Sequence, residues 1–372
     1  MSLTIHGLGT ALPPHRLSQG DAATVAARVA LPEPLPSPSK RRLLETLHRR
    51  SGVAMRHIVL EDLMATNVGQ EQSFFGTTSP GTGARMRRYS QEAPPLALRA
   101  VRAALEQAQV APERITHLVT VSCTGFQAPG VDLALMAALP LTASVARTHV
   151  GFMGCHGALN GLRVAAGFTG ADPEACVLLC AVELCSLHMQ YGWDGERIVA
   201  NALFADGAAA LVASGELPSA SLSTASVPLA PGLRRLIASG SLLVPASAEA
   251  MSWVIEDHGF VMGLTSQVPD LIAAHLRPWL EKWLAEHQLT LAAIGSWAVH
   301  PGGPRILSAV TEALGLDPAL IEPSRSVLRD CGNMSSPTLL FILERLRRSG
   351  EPGPCLAMAF GPGLCVEVAL LE

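Results

Sequence analysis

Two stretches of this chain echo each other across its midpoint, and that echo limits its fold more than any other feature. ITHLVTVSCTGF leads, after a helical segment, to GFMGCHGALNGLRVAAG; IGSWAVHPGG leads, after a helical segment, to RDCGNMSSPTLLFILERL. Thr124 and Cys155 are 31 positions apart, His300 and Asn333 are 33 apart. The tails match as well: DGAAALVAS follows Phe204, and GPGLCVEVALL follows Phe360. The pattern predicts a duplicated unit, with Cys155 and Asn333 at equivalent strand-to-helix turns. It would place His300 at the C-terminal end of a strand, where open α/β sheets gather ligands.

The rest of the chain fits that reading. Strands are predicted over 3–9, 115–123, 148–153, 176–182, 208–213, 294–299, 355–360 and 365–370. Helices are predicted over 21–29, 40–50, 92–108, 131–139, 157–168, 269–286, 305–314 and 337–348. Strands alternating with helices mean an α/β fold. Cys176–Val182 is nearly free of polar residues and should be buried on both faces. Residues 31–39, LPEPLPSPS, read as a rigid connector, and 61–90 as an irregular excursion.

Composition removes several classes. Apolar residues make up 49% of 372, which excludes a disordered chain and suits two units better than one core. No run approaches the roughly 18 apolar residues of a membrane span, and the N-terminus lacks the pattern of a secretion signal. A net charge of −4 argues against bulk nucleic-acid binding. Only Lys40 and Lys282 could serve Schiff-base chemistry. Eight cysteines read mainly as small buried hydrophobes. Cys176, Cys180 and Cys185 have no histidine at zinc-finger spacing and read as core, so no metal site is expected.

Three residues carry chemistry. Cys155 is predicted just after a strand, at the first turn of a helix, between Gly154 and Gly157. A helix N-terminus favours negative charge, which predicts a lowered thiol pKa and nearby N–H groups able to hold an oxyanion. His300 ends an apolar strand before a Pro-Gly-Gly turn that fixes its ring for proton transfer. Asn333 opens a helix, where its amide can donate to a developing oxyanion; taken alone, Asn there reads as a helix N-cap. Together they form a constellation for thiolate chemistry on a carbonyl. Papain-like hydrolases share the order Cys–His–Asn, but their Cys lies near the N-terminus in a signature that is missing here.

The strings SCTGFQAPGVD, GFMGCHGALNGLR, ALFADGAAALV, WAVHPGGPRIL, CGNMSSPTLLFILE and AFGPGL occur in order along the whole chain. In them the sequence resembles type III polyketide synthases of the chalcone synthase superfamily. The resemblance implies a thiolase-like fold, two duplicated α/β halves in a five-layered αβαβα arrangement. The N-terminal half (1–214) would carry the nucleophile and the C-terminal half (215–372) the catalytic His and Asn. It implies Cys155 as the nucleophile, His300 as its base and Asn333 as the second oxyanion donor. Phe204 matches the aromatic gate between CoA tunnel and cavity, and Met262 is a stand-in for a second gate. Gly361, Pro362 and Gly363 match a cavity-shaping loop, and Arg50 falls where the family places a cation on CoA phosphate. Cys123, Thr124, Ala128 and His188 match cavity positions that depart from the plant pattern, Ala128 replacing a Met that reaches across the dimer. With Ala205, Ala128 suggests room for an aliphatic chain.

The resemblance further implies acyl-CoA and malonyl-CoA as substrates, no other cofactor, a homodimer and a cytoplasmic location. The products expected are alkylresorcinols, alkylpyrones or similar phenolics. The competing readings are another thiolase-fold condensing enzyme such as a ketoacyl synthase III, a cysteine hydrolase of acyl thioesters, and a non-catalytic partner of an active synthase.

Overall fold

A computed structural model describes residues 3–29, 37–64, 73–76, 78–215 and 235–372. In chain order the first part holds β1 (Leu3–Ala11), β2 (His15–Ser18), α1 (Gln19–Val29), α2 (Pro38–Arg50), β3 (Met55–Ile58), α3 (Thr82–Ala108), β4 (His117–Ser122), α4 (Val131–Ala138), β5 (Ala146–Gly151), α5 (Gly157–Ala171), β6 (Cys176–Leu184), α6 (Gly195–Leu203) and β7 (Asp206–Ser214). The second holds β8 (Arg235–Leu243), β9 (Met251–Glu256), β10 (Gly259–Leu264), α7 (Val268–Glu286), β11 (Ser296–Val299), α8 (Pro304–Leu314), α9 (Glu322–Cys331), α10 (Thr338–Ser349), β12 (Cys355–Gly361) and β13 (Cys365–Leu371).

The echo in the sequence is an echo in the sheet. Strands run β5-β4-β6-β7-β1-β8-β13-β12-β11. From the middle outwards, β1 pairs antiparallel with β7, β7 antiparallel with β6, and β6 parallel with β4. In the same way β8 pairs antiparallel with β13, β13 antiparallel with β12, and β12 parallel with β11. The two sets meet where Leu3 faces Leu236 and Thr4 faces Arg235. Among the described residues, β5 has no counterpart beside β11.

The layers follow from which faces are apolar. α5 and α10 are packed between the two sets of strands in one continuous core that includes Leu159, Leu162, Leu340 and Ile342. α3 covers the outer face of the first set, and α7 with α8 that of the second. The result is α/β/α/β/α, a thiolase-like fold. β6 and β7 are buried along their whole length, as covering on both faces requires.

The structure departs from the sequence reading at α3. The helix starts at Thr82, inside what reads as an irregular excursion. The apolar period is broken there by Arg85, which is nonetheless fully buried. Its guanidinium donates to the carbonyls of Pro80, Leu187 and Met189 and to Ser79 Oγ, so a cation fills a core position by capping carbonyls. Helices α6 and α9 and strands β2, β3, β8, β9 and β10 also lie outside the predicted elements. Most of the proline connector falls outside the described residues.

Candidate active site

Cys155 sits in the tight turn Gly154–His156 that leads from β5 into α5. The backbone of this turn is forced. Phe152 has φ +58°, left-handed for a non-glycine residue, and Gly154 has φ +66°. A Cβ on Gly154 would stand 2.6 Å from Pro362 Cδ, so glycine is needed both for the turn and for the close approach of the 361–363 loop. Asn333 lies on the matching turn between α9 and α10, where Ser335 has φ +56°. Left-handed non-glycine residues thus stand at both turns that carry chemistry. His300 follows β11 directly.

These three residues line one cavity of about 550 Å³. Phe204, Met262, Met251, Leu264, Leu47 and Ser51 also line it, as do Arg50 and Arg305, both exposed at its outer edge. All three reactive side chains are buried: Cys155 is 7% exposed, His300 1% and Asn333 1%.

The amide of Asn333 is oriented. Its Oδ1 accepts the Ser335 N–H at 2.8 Å, which leaves Nδ2 as a donor for other groups. That amide and Ser335, whose hydroxyl is 3.6 Å from Cys155 Sγ, hydrogen bond to the thiol and favour its ionised form. Neither ring nitrogen of His300 has a protein partner among the described residues. A buried imidazole with both nitrogens uncommitted is available to a ligand or to a proton from Cys155.

The expectation of a lowered thiol pKa is overturned. Burial pushes the Cys155 thiol up to about 12, outweighing the Ser335 and Asn333 hydrogen bonds, and the charge of Glu183 raises it further. Burial also holds the His300 imidazole down to about 3, with His156 adding to the effect. The ligand-free pair is therefore a neutral thiol and a neutral imidazole. The helix N-terminus does not overcome desolvation at this depth.

Sequence reasoning missed Glu183. It is fully buried on β6. Its carboxyl accepts from the Ser122 hydroxyl at 3.2 Å, from the Cys123 and Thr124 N–H groups at 3.0 Å, from Thr124 Oγ1 at 2.6 Å and from Ser336 Oγ at 2.5 Å. It joins the strand end that carries Cys123 and Thr124 to the turn that carries Asn333. Burial raises its pKa against those hydrogen bonds. An acid inside an otherwise apolar strand, CVLLCAVEL, was the available signal.

The remaining predicted residues divide. Phe204 and Met262 line the main cavity, a small inner space beside Cys155 and a third space behind them, so both stand at the junction. Cys123 and Thr124 line the inner space, with Cys123 Sγ 3.3 Å from Ser335 Oγ. Pro362 lines it too, while Gly361 makes room for His156, whose Cδ2 would be 2.2 Å from a Cβ there. The Gly363 N–H donates to the Met251 carbonyl at 2.7 Å and fixes the loop. Arg50 is exposed and lines the same cavity as Arg305, which the sequence reading did not single out.

His188 lines the third space, together with Phe204, Met262, Trp253 and Phe260, and not the two spaces that reach Cys155. Its ring stacks on Phe260 at 4.2 Å, Nε2 donates to the Thr124 carbonyl at 2.8 Å, and Nδ1 accepts the Phe260 N–H at 3.0 Å. Burial holds it neutral, down to about 3, and both nitrogens are committed to backbone. Ala128 lies on an exposed segment and Ala205 in the central core, and within one chain neither lines the spaces that reach Cys155. The inner space beside Cys155 is about 20 Å³, on the scale of a single water.

Comparison with known proteins agrees with this geometry. The model for the N-terminal domain of chalcone and stilbene synthases matches residues 2–216, and that for their C-terminal domain matches 235–372. The 1,3,6,8-tetrahydroxynaphthalene synthase of Streptomyces peucetius subsp. caesius is 34% identical over 99% of this chain and 93% of its own. The alpha-pyrone synthesis polyketide synthase-like Pks18 of Mycobacterium tuberculosis is 31% identical over 99% and 90%. PKS-I from the brown alga Ectocarpus siliculosus superposes with a TM-score of 0.89 at 29% identity, covering 100% of this chain and 98% of its own. The chain belongs to the chalcone and stilbene synthase family. Within it, the protein is a type III polyketide synthase, an acyltransferase-type condensing enzyme.

Proposed function

We propose that the protein condenses malonyl-CoA with a Cys155-bound acyl starter, iteratively and with loss of CO2. One observation carries this reading: Cys155, His300 and Asn333 line a single cavity that opens past two arginines. Cys155 gives its proton to His300 and attacks the acyl-CoA carbonyl; the C–S bond to CoA breaks and CoA leaves as a thiol. The two charges form together, so their attraction offsets the desolvation that keeps each group neutral alone. Malonyl-CoA follows. His300 and Asn333 donate to its thioester oxygen while the C–C bond to carboxylate breaks, and the electron pair is held as an enolate. The enolate carbon bonds to the acyl carbonyl, the C–S bond to Cys155 breaks, and a chain two carbons longer leaves as its CoA thioester, ready to reload.

The remaining assignments support the same chemistry. Arg50 and Arg305 would hold CoA phosphates at the outer edge of the cavity. Phe204 and Met262 would gate the inner space and the third space, both of which they line. An alkylpyrone, alkylresorcinol or similar phenolic fits an apolar lining of this kind. Residues 1–214 and 215–372 would act as the two halves, one supplying the thiol and the other the donors. A homodimer is supported by the exposed Phe126 (70%), Leu133 (39%) and Met153 (38%) beside the unpaired edge strand β5. Among the described residues no helix is long and apolar enough to cross a membrane. A cytoplasmic enzyme is consistent with eight free thiols.

Labelled malonyl-CoA supplied with a panel of acyl-CoA starters tests the reading. Chain-extended, cyclised products are expected; free acid and CoA without extension would favour a hydrolase instead.

A further inference from the structure

Arg56, on β3, is a buried cation that the reaction scheme leaves unused. It is 5% exposed, and burial lowers its pKa to about 10, so it stays charged at neutral pH. Both of its Nη atoms are held, mostly by backbone carbonyls. Nη1 donates to the carbonyls of Asn201 at 2.6 Å and Phe204 at 3.0 Å. Nη2 donates to the Ala202 carbonyl at 2.8 Å and to Gln19 Oε1 at 2.6 Å. These carbonyls sit at the C-terminal end of α6, where the helix leaves its acceptors unpaired and favours positive charge.

The other side of the same backbone is held by the active site. The Asn333 N–H donates to the Leu203 carbonyl at 2.9 Å, and the Ala205 N–H donates to the Asn333 carbonyl at 2.8 Å. Residues 201–205 are therefore clamped between Arg56 and Asn333, with Phe204 inside the clamp. Gln19 extends the network. Its Nε2 donates to Ala202 O at 2.8 Å, to Ser51 Oγ at 2.6 Å and to His48 O at 3.1 Å. Ser51 follows α2 directly and, though buried, lines the cavity with Leu47 and Arg50. A continuous hydrogen-bonded path thus runs from the α2 end of the cavity to the junction.

We infer that Arg56 is a positioning residue: it sets Phe204 against Asn333 and, through Gln19, links that setting to the α2 end of the cavity where a CoA thioester enters. The inference rests on Phe204 acting as the gate. Lysine cannot replace it, because one ammonium cannot span four acceptors that a planar fork reaches in pairs.

The test uses the full-length enzyme with Arg56→Lys, Gln19→Leu and, in parallel, Phe204→Leu. For each, the ratio of uncoupled malonyl-CoA decarboxylation to condensation, the product chain-length ladder, KM and kcat for the starter, and the thermal midpoint are measured. Arg56→Lys and Gln19→Leu should raise the decarboxylation-to-condensation ratio at least about threefold and shift the ladder the way Phe204→Leu does. Acylation of Cys155 by the starter should persist. If Arg56→Lys does not fold, Gln19→Leu decides, since it leaves the cation in place and cuts the link. The inference is overturned if Phe204→Leu changes the ratio while both other variants keep the wild-type ratio and ladder and lose only thermal stability. If Phe204→Leu itself changes neither, the gate reading fails and takes the inference with it.

Discussion

Phe204 and Asn333 are paired through their backbones: the Asn333 N–H donates to the carbonyl just before Phe204, and the N–H just after Phe204 donates to the Asn333 carbonyl, at 2.9 and 2.8 Å. One residue comes from the end of α6 and the other from the turn after α9. The pairing crosses from the part that carries Cys155 to the part that carries His300. It fixes the aromatic wall of the cavity and the amide donor as one unit.

Asn333→Ala should remove a preorganised donor while leaving that backbone pairing in place. Loss of a single oxyanion donor costs about 10²–10³ in rate. Release of CO2 from malonyl-CoA should fall by that factor, and starter loading onto Cys155 by less, because Ser335 still donates to the thiol. Equal loss of both would mean the side chain serves the fold and not the enolate.

The pH dependence of thiol alkylation should report the pair. Burial outweighs the Ser335 and Asn333 hydrogen bonds and holds the Cys155 thiol up at about 12 in the ligand-free site. With His300 present, the leaving proton has an acceptor inside the cavity, so iodoacetamide should react at lower pH than it does in a site lacking the imidazole. With His300→Ala, inactivation should move several pH units to the alkaline side, because the thiolate must then form unaided. Superimposable profiles would remove His300 from the pair.

Glu183→Ala should destabilise the protein without touching a substrate. It strands the Cys123 and Thr124 N–H groups and three hydroxyls in a buried site. The cost should be at least about 3 kcal/mol, since each stranded donor carries about 1–3. Chemical denaturation checks this, and a loss below about 1 kcal/mol would show that the network is slack.

Asp206 makes stability depend on pH in a defined direction. Burial raises its pKa from 3.8 to about 6 in the folded protein, despite hydrogen bonds from Ser186 and Val59. The folded state therefore binds its proton more tightly than the unfolded state. Its contribution is fully present below about pH 4 and is lost as pH rises through 6. The loss is on the order of 3 kcal/mol. In Asp206→Asn, the difference in stability between pH 4 and 7 should shift accordingly relative to wild type. An identical pH dependence in both proteins would refute the assignment.

Much of this was legible in the sequence because its signals are local. Glycines beside Cys155, a strand ending at His300 and a glycine before Asn333 mark backbone turns, and the echo between halves marks the duplicated sheet. What was not legible depends on depth and on distant partners. A helix start predicts an acidified thiol, but only the fold shows that Cys155 is buried deeply enough to reverse the sign. Arg85 hides the start of α3 because its compensation comes from Leu187 and Met189, a hundred residues away. Glu183 looks like a defect in an apolar strand until Cys123, Thr124 and Ser336 are seen around it. Which space His188 faces was not legible either, because its ring is set by Phe260 and the distant Thr124 carbonyl.

The central claim is that Cys155 carries the acyl chain. It is tested most directly by mass spectrometry of the intact enzyme, mixed with a starter acyl-CoA and then digested. The account predicts an acyl adduct on the peptide containing Cys155, absent in Cys155→Ala, with the variant making no chain-extended product. An adduct on another residue, or condensation surviving in Cys155→Ala, would contradict it.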